Sequence, residues 1–271
     1  MVINVIWPLF KKELKSQAML FGIFVGLILM YGFIVVTLFN PDPAEAGWLD
    51  FIIETYPEMM DLIGFNIADF TNYQLFISGY LYGMLFLLFG LIFAILLSNK
   101  LIFKYLDKGS FVYLHSTPHS RTQILFTQIK VLGTFQFLLA LIMFLVVTLG
   151  GMIQYPDYVD PLKLLYLNFS YLLLMFALGS FNVFASSIFE GKLSFGLSVG
   201  VPVFFFFLQM IGNLGGDYEV FKYFTPFSLF NTDYIITYDP LSFIFNGVLI
   251  VMTILLTFLT FHLFNKRDLS I

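Results

Sequence analysis

Six long apolar stretches alternate with short polar segments along this chain of 271 residues. They run from Ala18 to Phe39, Leu75 to Asn99, Val131 to Tyr155, Leu164 to Phe189, Leu193 to Gly216 and Phe243 to Asn265. Each is near or above the roughly 20 residues that cross a hydrocarbon core about 30 Å thick at about 1.5 Å per residue. None contains Asp, Glu, Lys or Arg. Apolar periodicity near the start differs: Ile6, Leu9, Phe10 and Leu14 have helical spacing, with Trp7, Lys11, Lys12 and Lys15 around them. That pattern predicts a short amphipathic helix lying on the membrane surface. Between the first two stretches, Trp48, Leu49, Phe51, Ile52 and Ile53, and after Pro57 also Met59, Met60, Leu62 and Ile63, predict short interfacial helices in an outer loop.

Composition agrees with the pattern. Hydrophobic residues make up 59% and charged residues only 11%, against about 25% charged in soluble domains. The expected fold is all-α and integral to the membrane, a single transmembrane domain over residues 1–271. Its spans are at about 18–39, 75–99, 124–155, 164–189, 193–216 and 243–265. Ala44-Glu45-Ala46 has the form of a signal cleavage site, but the preceding apolar run is longer than a signal core of about 7–15 residues, so an anchor is expected. With no cysteine, disulfides, thiolate metal sites and cysteine nucleophiles are excluded together.

Charge sets the orientation. With six spans both termini fall on one side, and eleven of the thirteen bases fall on that side; Lys163 and Lys222 are the exceptions. Thirteen of the seventeen acids lie on the other side. The termini are therefore expected in the cytoplasm. Glu54, Glu58 and Asp61 share a helix face in the outer loop, where a solvated face is the plainer reading than a cation site. Intramembrane carboxylates usually mark ion or proton pathways, and their absence argues against an ion-driven carrier.

The longest basic interruption, Lys104 to Arg121, lies between spans two and three. Gly109 permits a sharp turn, Val112 to Leu114 gives a short apolar element, and Pro118 prevents a continuous helix. Ser120 with Gln123 has the spacing of a capping box, so the third helix should start at Ser120. The reading is a short, framed basic knuckle between two long helices.

Here the sequence resembles the permease subunits of ABC transporters of the type 2 exporter class. The likeness rests on Asp107-Lys108-Gly109-Ser110, on Leu114-His115-Ser116-Thr117-Pro118 and on Ser120-Arg121 between spans two and three. It rests also on Tyr56-Pro57-Glu58 with Gly64, on Phe224-Thr225-Pro226-Phe227 before the last span, and on the ending Phe264 to Leu269. Ser110 stands where Thr is usual and His115 where an aliphatic residue is usual. The resemblance implies a permease that dimerises with a copy or paralogue and binds two cytoplasmic ABC ATPase subunits. The knuckle would be the coupling helix, touched through Lys104, Asp107, Lys108, Gly109, Ser110, Leu114, Pro118 and Arg121. The amino-terminal helix with Lys11 and Lys12 would also touch the ATPase.

The chain itself has no P-loop: Gly191-Lys192 is followed by Leu193, and position 186 is Ser. ATP and Mg are accordingly expected on the partner, with no cofactor, catalytic residue or metal site here. His115 and His119 are separated by Pro118 and lack a third ligand. Pairs Gly22/Gly26, Gly79/Gly83 and Gly196/Gly200 have GxxxG spacing, plainly read as packing within the subunit. In the resembled family spans one and five line the dimer interface, which makes Gly22, Gly26, Gly196 and Gly200 candidates there. Phe204, Phe205, Phe206 and Phe207 surround one helix after Pro202; lipid contact or packing is their plain role and an apolar transport path the functional one. Asn168, Asn182, Ser186, Ser187 and Gln209 should face the bundle interior, and Asn182 and Gln209 are candidates for that path. The charge-free spans favour an apolar or amphipathic cargo, amphipathic peptides ahead of lipids or drugs. The alternative is a membrane scaffold or sensor that recruits a cytoplasmic partner.

Overall fold

The structure, a computed structural model, describes residues 4–41, 55–56, 72–107 and 119–266. Six of its helices are long and apolar enough to cross a membrane, and they are named here in chain order. They are α1 (Trp7–Leu38), α2 (Tyr73–Leu106), α3 (Arg121–Gln154), α4 (Pro161–Ile188), α5 (Gly191–Asn213) and α7 (Pro240–Lys266). A short helix α6 (Thr232–Ile236) lies before α7, preceded by 3-10 turns at Gly216–Phe224 and Pro226–Leu229. Every predicted span has its helix. The protein is an all-α, multi-pass membrane protein.

Local sequence explains where the helices begin. Asn72 Oδ1 accepts the free N–H groups of Gln74 and Leu75 at 3.0 and 3.2 Å. Asp160 does the same for Leu162 and Lys163, Asn231 for Tyr234, and Asp239 for Leu241. Pro161 and Pro240 follow their caps, where a missing N–H costs nothing. These four caps sit at one end of the bundle, the end rich in acids. At the opposite, basic end, Ser120 caps α3 in the predicted capping box: its Oγ accepts from Gln123 N, and Gln123 Oε1 accepts from Ser120 N. Gly191, with φ +51°, makes the tight turn from α4 to α5.

The α4 helix is the centre, packed against α7, α3, α5 and α2, while α1 packs along α3. Tyrosines join these layers. Tyr171 Oη donates to Phe86 O at 2.9 Å, Tyr82 Oη to Asn168 Oδ1 at 3.0 Å, and Tyr73 Oη to Val147 O at 2.5 Å. In a hydrocarbon surrounding, each joins two helices and satisfies a group that lipid cannot. At the acidic end Phe39 meets Tyr73, Phe76 and Tyr155 with ring centroids 5.0 to 5.4 Å apart, closing α1 onto α2 and α3.

Two features depart from expectation. The amphipathic start is no separate surface helix but the first turns of α1, which continues unbroken for 32 residues, about 48 Å. The physical reason is a shared buried face: Leu9, Glu13 and Gln17 lie in line with Phe24, Ile28 and Val35, so a straight helix keeps all of them against the bundle. Pro8, in the first turn, does not interrupt it. The second departure is α2, which widens into π-helix at Ser78–Leu85 and Asn99–Phe103. At the second widening Ser98 Oγ and Asn99 Nδ2 donate to Ile95 O at 3.1 and 2.9 Å, polar support that a purely apolar helix lacks. The predicted coupling helix, and the interfacial helices of the first outer loop with Glu54, Glu58, Asp61 and Gly64, lie outside the described residues.

Candidate functional site

The site assembles at the basic end, around the two roots of the segment 108–118. One root is the end of α2, the other the capped start of α3. The first turns of α1 are bonded to both. Ile6 N donates to Thr127 Oγ1 at 3.0 Å, and that hydroxyl in turn donates to Gln123 O at 2.7 Å, inside the first turn of α3. Tyr105 Oη, on the residue before the end of α2, donates to Glu13 Oε1 at 2.6 Å. Glu13 is 1% exposed, so this carboxyl is held inside the protein rather than in water. The start of α3 also meets the end of α7, where Thr122 Oγ1 donates to Asn265 Oδ1 at 2.9 Å. Four helix ends are thus tied together at the basic end.

Cations face outward from this frame. Lys11 and Lys12 on α1 and Lys104 on α2 are exposed, and Arg121 is half-buried at the first residue of α3. Asp107 directly follows α2 and is the last described residue before the segment 108–118. Lys108, Gly109, Ser110, Leu114, His115 and Pro118 lie outside the described residues. Among the described residues there is no group of three or more His, Cys, Asp or Glu placed to hold a metal ion. The geometry fastens the start of α1 to α3 through one hydrogen bond and to the end of α2 through another.

Sequence reasoning did not find the Glu13 and Tyr105 pair, nor the role of Thr127. A signal was present. Glu13 follows Leu9 and precedes Gln17 on the apolar face of α1, a lone acid where an apolar residue is expected.

The remaining candidates separate into two groups. Gly22 and Gly26 on α1 and Gly196 and Gly200 on α5 have nothing within 4 Å of where a Cβ would stand. Among the described residues they mediate no packing, and all four are exposed. Along α5, Phe206 is buried against Phe227 with centroids 5.7 Å apart, while Phe204 and Phe207 are exposed and Phe205 is half-buried. This explains the Thr225-Pro226-Phe227 stretch: Thr225 Oγ1 accepts from Phe227 N at 3.1 Å and turns that ring onto α5. Gln209 Nε2 donates to Asn213 Oδ1 at 3.2 Å. Asn182 is fully buried, with both polar atoms unpartnered in the protein. It lies six residues from the basic end of α4, whereas Phe206 lies fifteen residues up α5, so their depths differ by about 13 Å. Asn182 and Phe206 thus stand at different levels of the bundle.

A family model described as ABC-2 family transporter protein matches residues 7–269. The chain belongs to this family. No curated protein matches the sequence. An ABC-2 family chain is a transmembrane subunit of an ABC transporter and works with an ABC ATPase partner. The ABC-2 match spans all six membrane helices and both roots of the segment 108–118, so the tied frame at the basic end belongs to the part that defines the family.

Proposed function

We propose that this ABC-2 subunit is one half of the membrane path of an ATP-driven exporter for amphipathic cargo, with amphipathic peptides as the first class. The other half is a second permease chain, a copy or a paralogue. Two copies of the ABC ATPase dock at the basic end, which faces the cytoplasm together with both termini. ATP and Mg are bound and ATP is hydrolysed on those partners; this chain lacks the P-loop for it. The observation that carries the reading is the frame around the segment 108–118, in which α1, α2 and α3 are bonded into one mechanical unit. Closure of the ATPase pair pushes the coupling segment, and the three helices move together, alternately opening the path to each side. Six charge-free spans favour a cargo that is itself largely apolar, because an ion would lack compensating charges along the way. The outward-facing Gly22, Gly26, Gly196 and Gly200 fit close approach of a second subunit.

The test is coexpression with the cognate ATPase, reconstitution in vesicles and measurement of ATP hydrolysis beside peptide export. Lys108→Glu with Arg121→Glu should leave insertion intact while uncoupling hydrolysis from export. Normal export by the double variant removes the coupling role, and hydrolysis with no cargo dependence favours a recruiting scaffold.

A further inference from the structure

A groove of about 520 Å³ runs between α3, α4 and α7, within the size range of sites that hold small molecules. Its walls are mainly hydrocarbon and aromatic, with Phe126, Phe137, Phe176 and Phe261 among the lining residues. The hydroxyls that line it are turned onto partners: Thr134 Oγ1 donates to Lys130 O at 2.8 Å, Thr253 Oγ1 to Leu249 O at 2.8 Å, and Ser180 and Thr257 bond each other at 3.3 Å. Gln136 Nε2 likewise donates to Met175 O. With its polar groups satisfied, the wall suits a hydrocarbon chain.

One charge lines the groove among the described residues. Lys130 is exposed and its Nζ stands 5.4 Å from the centroid of the Phe126 ring, at the basic end of the opening. It is the last base before the charge-free run that begins at Val131, where a headgroup boundary is expected. Thr127, one turn below Lys130 on α3, is bonded to Ile6, and α1 runs beside α3 with its exposed Lys11, Lys12 and Lys15 just beyond Ile6. From Lys130 to Phe137 the groove rises about 10 Å toward the bilayer centre. A lone cation at the polar end of an apolar slot fits a ligand with an anionic head and an acyl tail.

We propose that this groove binds one phospholipid with an anionic headgroup from the leaflet at the basic end, its phosphate against Lys130 and one acyl chain between α3, α4 and α7. The lipid is a resident ligand of the subunit and is distinct from the cargo. Gly133 offers a clean test, because it lines the groove and a Cβ there has nothing within 4 Å. Gly133→Phe should therefore start its side chain in open space and put a ring into the slot.

The experiment is native mass spectrometry of the full chain purified in detergent, titrated with phosphatidylglycerol or phosphatidylcholine. The parent chain should retain phosphatidylglycerol in preference to phosphatidylcholine. Lys130→Gln should weaken phosphatidylglycerol retention about fivefold, the typical contribution of one base near an anionic surface, and Lys130→Arg should restore it. Gly133→Phe should abolish retention, and Lys100→Gln, an exposed base outside the groove, should leave it unchanged. Equal retention of the two lipids, or unaltered retention in both groove variants, overturns the proposal. Conversion of a dimer to a monomer by Gly133→Phe, with lipid retention unchanged by Lys130→Gln, makes the groove a subunit interface instead and overturns it equally.

Discussion

Tyr105→Phe removes one oxygen and leaves the Glu13 carboxyl without its hydrogen-bond donor at a position 1% exposed. Hydrogen bonds between membrane helices average about 0.6 kcal/mol with a maximum near 1.7, whereas buried acceptors stranded in proteins cost about 1–3 kcal/mol. The bond here is short, at 2.6 Å, and its acceptor is the carboxyl of a buried residue, so the upper part of the membrane range applies. Tyr105→Phe should thus destabilise the protein by about 1.5 kcal/mol, roughly a tenfold change in the folding equilibrium. The discriminating variant is the double one. With Glu13→Leu added, no polar atom is left stranded, and an apolar pair in place of both partners is nearly neutral. Tyr105→Phe/Glu13→Leu should hence be more stable than Tyr105→Phe alone. Unfolding by SDS in mixed micelles, followed by far-ultraviolet circular dichroism, measures the four corners of this cycle. Simple addition of the two single effects would show that the pair carries no coupling and that α1 is not fastened to α2 there. In the assembled transporter, Tyr105→Phe should also lower export more than ATP hydrolysis, because the push on α2 reaches α1 through this bond.

Gly151→Ala places a Cβ 2.5 Å from atoms of the Tyr73 ring, whose hydroxyl is bonded to Val147, and should cost about 1–3 kcal/mol in the same unfolding assay; an unchanged midpoint would mean the ring has room to move. A Cβ at Gly26 meets no atom of the described residues within 4 Å, so Gly26→Leu should leave monomer stability unchanged while abolishing the dimer in detergent by size-exclusion light scattering. A persistent dimer removes α1 from the interface. Phe227→Ala strips α5 of the ring packed on Phe206, and a loss of about 3–5 kcal/mol is expected, with the result refuted by a change under 1 kcal/mol.

Apolar run length alone determined the six spans, since a hydrocarbon core accepts only segments that satisfy their own backbone for about 20 residues. Short-range capping chemistry was equally legible, because Ser120 and Gln123 act within one turn and need no distant partner. Burial of Asn168, Asn182, Ser186 and Ser187 followed from the cost of turning them to lipid. The amphipathic start was legible as a helix but not in its direction: periodicity marks a face without saying whether lipid headgroups or another helix covers it. Tertiary structure decided that point: Leu9, Glu13 and Gln17 are buried against the bundle, Ile6 is bonded to α3 and Glu13 to α2, and the segment is part of α1. It also decided the outward direction of Gly22, Gly26, Gly196 and Gly200, as GxxxG spacing records small size and never the neighbour. Bonds across 121 residues from Ile6 to Thr127 and across 92 from Glu13 to Tyr105 leave no periodic trace in a sequence. They exist because folding brings three helix ends together at the basic end, and only there does a lone buried acid acquire its partner.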